Sequence, residues 1–200
     1  MCKIERFEKE ISVADYLEDY VAVEEFLEYC KACPNYGRIW SCPPYDFDVM
    51  AYWQKFSRLR VFARKISLSG ITEQSEASAL LESVKADMSR QLYELEAQIP
   101  GAVSLSAGSC SLCRSAGGGD DAGDVAETGG GDNETCKNTG GCARTSGQSC
   151  RYSDRMRYSI ESLGGNVGLT CRKLLGIRLE WMEEGKLPSY FVLAAGLLLP

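Results

Sequence analysis

The chain has 200 residues, a hydrophobic share of 44%, and twenty-two basic against twenty-eight acidic residues, for a net charge of −6. That length suits one domain, and the acidic balance argues against a nucleic-acid partner, whose phosphates need a basic face. Histidine is absent while cysteine occurs ten times, which removes Ser-His-Asp triads, Cys-His dyads and His-ligated metals from this chain's own chemistry.

The N-terminal stretch MCKIERFEKEIS carries mixed charge and no apolar signal core, so nothing in it marks export. Ser12 is placed to cap a helix running to Tyr20, with Asp15 as its capping-box partner. Val23, Phe26, Leu27 and Cys30 follow at helical spacing, so a second helix delivers Cys30 near its C-terminal end. Asp46 is placed to cap a helix over Phe47–Phe56. The β-branched and aromatic residues of 60–68 predict a strand. Residues 73–98 give the clearest element. Leu81, Val84, Met88, Leu92, Leu95 and Ile99 recur every three or four positions, and Pro100-Gly101 ends the run. This is an amphipathic helix lying on a core.

Residues 102–106 predict a short strand that runs straight into Cys110. Residues 114–149 hold ten of the twenty glycines and no Leu, Ile, Met or aromatic residue. They cannot bury enough surface to offset ordering entropy. Residues 114–141 are therefore read as a flexible, disordered insertion within a single domain spanning 1–200. Short helices are expected at Tyr158–Leu163 and Val167–Leu175, with Gly164-Gly165 between them as a turn and Gly176 as a C-cap. A strand is expected at Ile177, Leu179 and Trp181, a turn at Glu184-Gly185-Lys186, and a buried strand at Tyr190–Leu199. That last run of about ten residues is too short for a membrane span, which needs about 20, so no membrane association is expected. The fold class is α+β: a small mixed or antiparallel sheet of four or five strands, packed by one long helix, with cysteine-rich loops at its edge.

The cysteines form two groups. Ten cysteines without an export signal point to a reducing, cytoplasmic compartment, where spaced cysteines more often hold metal than form disulfides. The first group reads Cys30-Lys-Ala-Cys33-Pro34-Asn35-Tyr36-Gly37-Arg38-Ile39-Trp40-Ser41-Cys42-Pro43-Pro44. A C-x2-C pair sets two thiolates around one tight turn whose amides can face the sulfurs. Cysteine followed by proline recurs in iron–sulfur loops. The alternatives are a cysteine-rich turn without ligand and a thioredoxin-like redox pair. The third cysteine and the lack of a strand–loop–helix context count against the redox pair.

The second group is Cys110-Ser-Leu-Cys113, then the insertion, then Cys142 and Cys150-Arg151. Four thiolates complete a shell for a tetrahedral zinc or a four-iron cluster. Convergence of all four is expected, since loop closure entropy rises slowly with length. Arg151 either offsets cluster charge or is a surface charge. Cys136 lies inside the insertion as ligand or free thiol. Cys2 and Cys171 read as bystander or core residues.

The segments CKACPNYGRIWSCPPYDFD, AGSCSLC, SCRYSDRMRYSIESLGGNVG and EEGKLPSYFVLAAGLLL together resemble the predicted metal-binding proteins of unknown function found in anaerobic bacteria and archaea. In that family pattern the second group reads C-x2-C-x2-C-x7-C-R. Here Ala116 stands where the third cysteine is expected, and Cys142 follows the insertion. The resemblance implies metal binding and favours iron–sulfur, as one or two clusters of the [4Fe-4S] type, with Cys30, Cys33, Cys42, Cys110, Cys113, Cys142 and Cys150 as ligands. The expected function is a redox or electron-transfer protein with a redox partner protein. The alternative is a zinc-stabilised, non-enzymatic interaction module. Three thiolates in the first group leave one coordination position open to water, to substrate or to a residue from elsewhere, such as Cys2, Cys136 or Cys171. Any substrate chemistry is expected there.

Overall fold

The computed structural model describes residues 3–113, 141–182 and 186–200. Four strands form one antiparallel sheet in the order β1-β2-β4-β3: β1 (Ile4–Ser12), β2 (Arg58–Ser67), β3 (Val103–Leu105) and β4 (Tyr190–Leu199). The α+β expectation holds.

Alternation along the central strands decides which layer each residue meets. Leu59, Val61 and Ala63 of β2 stand beside Leu198, Gly196 and Ala194 of β4. This face is covered by α1 (Val13–Tyr20) and α3 (Val49–Trp53), whose Tyr16 and Trp53 are fully buried. Gly196 leaves the space that Leu59 needs, because a Cβ there would meet Leu59 Cδ1 at 2.9 Å. The opposite face, with Ile66, Ala195, Leu197 and Leu199, is covered by the long helix α4 (Gln74–Gln98) through Val84, Met88 and Leu92. The sheet thus lies between two helical layers, one of them irregular.

Local signals explain several boundaries. Ser12 Oγ accepts from Asp15 N at 3.0 Å, and its hydroxyl donates to Asp15 Oδ2 at 2.6 Å, which fixes the start of α1. Helix α2 (Val23–Lys31) carries Cys30 in its last turn. The next helix starts later than expected. Asp48, not Asp46, is the cap, accepting from Ala51 N at 2.9 Å. Phe47 instead joins an aromatic cluster with Tyr45, Tyr52 and Tyr158, at ring separations of 4.8, 5.5 and 5.4 Å.

Strand β1 has no counterpart in the sequence expectations. Its charged side chains hide it, yet they suit an edge strand: Glu10 pairs with Arg58 at 2.9 Å and with Arg60 at 3.2 Å. Two expected elements are shorter or absent. Of Tyr158–Leu163 only Glu161–Leu163 forms a helical turn, because Ser159 bridges to Ser106 and exchanges hydrogen bonds with Ser162. Residues 177–181 form no strand; Ile177 packs on the sheet face beside Ala63 and Ala194 rather than extending an edge. This segment is held by side chains instead: Ser189 donates to Glu180, and Tyr190 Oη donates to the Arg178 carbonyl. Helix α5 (Val167–Leu169) continues into a wider turn, Thr170–Leu174, which puts Cys171 in the core beside Ala63 and Ala194. Most of the expected 184–186 turn and of the 114–141 insertion, with Cys136 and Cys2, lies outside the described residues. Among the described residues no helix is long and apolar enough to cross a membrane.

A half-buried ion pair ties α4 to the chain that follows the second cysteine group. Glu96 Oε2 accepts from Ser104 N at 2.8 Å, from Ser104 Oγ at 2.6 Å and from Arg157 Nε at 3.0 Å. Burial alone would raise this carboxyl, but the Arg157 and Ser104 hydrogen bonds outweigh burial and hold it below its ordinary value. A lowered folded-state value means that this stabilisation is present above the unfolded carboxylate value of about 4.3 and is lost as pH falls through the folded one. Denaturant titrations between pH 3 and 6 should therefore show a steeper acid loss in the parent protein than in Glu96→Gln. Parallel curves would mean the pair contributes nothing to acid sensitivity.

Candidate metal centre

The first cysteine loop is built by the end of α2. Cys33 N donates to the Cys30 carbonyl at 3.0 Å, and Tyr36 N to the Cys33 carbonyl at 3.1 Å, so the C-x2-C pair occupies one tight turn. Gly37, at φ +65°, reverses the chain and donates to the Pro43 carbonyl at 2.8 Å. Cys42 N donates to the Ile39 carbonyl at 3.0 Å. Cys30 is half-buried, Cys33 is exposed and Cys42 is buried.

Burial pushes the Cys42 thiol up to about 11, with Cys33 and Cys30 adding to the rise, against a hydrogen bond with Ser41 and the charge of Arg144. Burial also raises the Cys30 thiol, followed by Cys33 and by Glu161. The loop thus gathers thiols that resist joint ionisation, and a cation among them would reverse that resistance.

The second loop leaves the edge strand β3. Gly108, at φ +68°, turns the chain into Cys110. Cys142 precedes a short helical turn, Ala143–Ser146, and Gly147 at φ +70° sends the chain back toward Cys150. Cys110, Cys113, Cys142 and Cys150 all line one cavity of about 420 Å³. Burial raises the Cys110 thiol, and Cys150, Cys113 and Cys142 raise it further, while the Leu112 amide N–H points at its sulfur and opposes them. Cys150 is similarly raised, first by burial and then by Cys142, against the Tyr152 amide. Amides aimed at sulfur are what a thiolate ligand needs. Arg151 serves this site rather than bulk solvent. It bonds to Cys113, opposing that thiol's rise through burial, and donates to the Gly141 carbonyl at 3.2 Å.

Among the described residues, no three Cys, Asp or Glu side chains stand close enough to clasp a single metal ion. The donors of the second group instead surround a space. All-thiolate donors, inward amides and a flanking arginine fit a thiophilic metal or an iron–sulfur cluster.

The two loops interlock. Cys110 N donates to Ser41 Oγ at 2.9 Å, and Ser41 is fully buried beside Cys42. Asn35 Nδ2 donates to Ser109 Oγ at 3.2 Å. Arg144, between Cys142 and Cys150, donates to the carbonyls of Ile39 at 2.9 Å, Cys42 at 2.5 Å and Pro44 at 2.5 Å. Its guanidinium carbon lies 5.0 Å from the Trp40 ring centroid, and Trp40 Nε1 donates to the Gln148 carbonyl at 3.0 Å. Trp40 therefore forms part of the second site's wall, along with Asn35 and Ile39, while Tyr45 packs in the aromatic cluster.

Sequence reasoning missed Ser41 and Arg144 because their partners lie 69 to 105 residues away. The Glu161 carboxyl is raised by burial, against its own amide, Ser159 and Lys85. The Gly164-Gly165 run is a turn between helices. Asn166 Oδ1 accepts from Leu169 N at 2.8 Å and so caps α5 itself.

A family model described as predicted metal-binding protein (DUF2284) matches residues 16–199, and the chain belongs to that family. No curated protein and no solved structure matches it.

Proposed function

We propose that this protein carries two iron–sulfur clusters and passes electrons between them and a redox partner protein in the cytoplasm. One cluster is held by Cys110, Cys113, Cys142 and Cys150, the other by Cys30, Cys33 and Cys42. The observation that carries this reading is the interlock of the two thiol groups, with Cys110 N on Ser41 Oγ and Arg144 on the Cys42 carbonyl. Two sites that share a wall suit transfer between them, whereas a structural metal has no need of a neighbour. The size of the space is a second support. A tetrahedral zinc draws four sulfurs to about 2.3 Å from one point, while these four thiols line one wider cavity without gathering on a point, which suits a four-iron core whose ligands bind different irons. When bound, such clusters accept and release single electrons at potentials set by hydrogen bonds to sulfur and by burial. The chain's own part is to supply those hydrogen bonds and exclude water. The Leu112 and Tyr152 amides and Arg151 do so at the second site, and burial of Cys42 does so at the first.

Electron paramagnetic resonance of the anaerobically reduced protein tests the pairing. Two clusters separated by one wall should give a broadened, spin-coupled signal that simplifies when Cys30→Ser removes one of them. Two sharp, independent signals would contradict the shared wall. A colourless, silent protein with bound zinc would replace the proposal with the zinc-stabilised module.

A further inference from the structure

We infer that Arg144 couples the filling of the two centres, so that a cluster on Cys110, Cys113, Cys142 and Cys150 prepares Cys30, Cys33 and Cys42 to take the other, and the reverse. The inference rests on the reading above that both cysteine groups hold iron–sulfur clusters, and it adds a coupling between their empty and filled states.

Arg144 belongs by chain to the second group and by contact to the first. It lies in the helical turn Ala143–Ser146, which Cys142 begins. That turn is internally bonded. Thr145 N and Thr145 Oγ1 both donate to the Cys142 carbonyl, at 3.2 and 2.9 Å, and Gly147 N donates to the Arg144 carbonyl at 3.0 Å. Fixing Cys142 on a cluster therefore fixes the backbone that carries Arg144. The guanidinium leaves this turn and closes on the first loop, where it donates to the Ile39 carbonyl at 2.9 Å and to the Cys42 and Pro44 carbonyls at 2.5 Å each. Cys42 N donates to that same Ile39 carbonyl at 3.0 Å. One side chain of the second group thus holds both ends of the turn that presents Cys42, and the chain just beyond it.

Two physical effects make this contact a coupling. The first is order. A planar guanidinium presents five N–H donors in a fixed fork, so it can hold three carbonyls at once, and a charged donor bonds about twice as strongly as a neutral one. With the second centre empty, seating Arg144 costs the ordering entropy of its own turn. With Cys142 and Cys150 held by a cluster, that cost is already met, and the Cys42 turn is set in place. Linkage makes the effect reciprocal, so a filled first centre favours the second equally. The second effect is charge. Thiolate-bound clusters are anionic, and two of them side by side repel each other. Arg144 places a cation between the Cys42 turn and Cys142, whereas Arg151 donates within the second group, to the Gly141 carbonyl. The bonds from Cys110 N to Ser41 and from Trp40 to Gln148 also align the loops, but they carry no charge.

The test fills the metal-free chain from a preformed four-iron, four-sulfide tetrathiolate complex supplied below two clusters per chain. Filling is then ligand exchange: each cysteine thiol replaces one donor thiolate, its proton leaves on the displaced thiol, and no electron moves. Native mass spectrometry counts chains with no, one and two clusters. In the parent, single-cluster chains should be scarcer than independent filling allows, with a coupling of about tenfold. Arg144→Gln should fill its centres independently or gather an excess of single-cluster chains. Arg144→Lys keeps the charge but loses the three-carbonyl fork, and should fall between the two. A residue that only supports the fold would lower total uptake without changing this distribution. Independent filling in the parent, or an Arg144→Gln distribution equal to the parent's, overturns the coupling while leaving both clusters in place. If Arg144→Gln fails to fold, a parent-like distribution in Arg144→Lys overturns it in the same way. Cys30→Ser should limit uptake to one cluster. If it still takes two, or if the parent takes none, the reading above is wrong and the inference falls with it.

Discussion

Stripping metal from both centres should loosen residues 30–45, 108–113 and 141–152 together while the sheet and α4 keep their protection. Structural metal contributes roughly 10 kcal/mol or more in small zinc modules that have little core of their own. This chain differs, because Trp53, Tyr16, Leu59, Ile66, Leu105, Leu197 and Leu198 form fully buried cores on the two faces of the sheet. Loss should therefore be local. It should also be shared, because the loops hold each other through Arg144, Trp40, Ser41 and Asn35. Raised thiols at Cys30, Cys42, Cys110 and Cys150 add to the effect, since the metal-free loops keep their protons and lose the charge that organised them. Hydrogen exchange of the loaded and chelated protein measures this. Loop amides should lose protection by about a hundredfold or more, a small share of a metal's structural contribution, while amides of β2, β4 and α4 stay unchanged. Global unfolding would mean the core is weaker than its burial implies. Unchanged loop exchange would remove the structural role of the metal.

Gly164→Ala should strongly destabilise the protein beside the helix that carries Cys30. Two costs combine. Gly164 has φ +79°, a left-handed conformation that costs an L-residue roughly 1–2 kcal/mol. Its new Cβ would also meet Val23 Cα at 2.7 Å and Val23 N at 3.1 Å, both backbone atoms of α2 that cannot swing aside. Overpacking of this kind adds about 1–3 kcal/mol. The sum, about 3 kcal/mol, should appear in equilibrium denaturation. Gly176 separates the two terms, since it has φ +69° but no atom within 4 Å of a Cβ. Gly176→Ala should carry only the conformational cost, about 1 kcal/mol. If both variants lose the same amount, the close approach to α2 contributes nothing. Because α2 carries Cys30, Gly164→Ala should also lower the iron content of the first centre.

The elements legible in the sequence are those whose pattern matches their burial. Val84, Met88 and Leu92 mark α4 because one of its faces packs on the sheet, and the unbroken apolar run at 190–199 marks β4 because both faces of that strand are covered. Strand β1 was not legible. Its pairing with β2 is a matter of backbone hydrogen bonds and cross-strand charge, and IERFEKEIS shows no strict alternation of apolar and polar residues. Residues 177–181 mislead in the opposite sense: Ile177, Leu179 and Trp181 alternate, but Ile177 packs on the sheet face beside Ala63 and Ala194, and Trp181 is left 77% exposed. Within the site, C-x2-C spacing makes Cys30, Cys33, Cys110 and Cys113 conspicuous at once. The shared wall does not show, because it needs Arg144 beside Cys42 and Cys110 beside Ser41, which only the packing of the two loops creates.

If the seven cysteines hold two iron–sulfur clusters, metal and acid-labile sulfide analysis of the anaerobically purified chain shows it most directly. Two four-iron clusters predict a brown protein with about eight irons and about eight sulfides per chain. A colourless protein with stoichiometric zinc and no sulfide would contradict the claim.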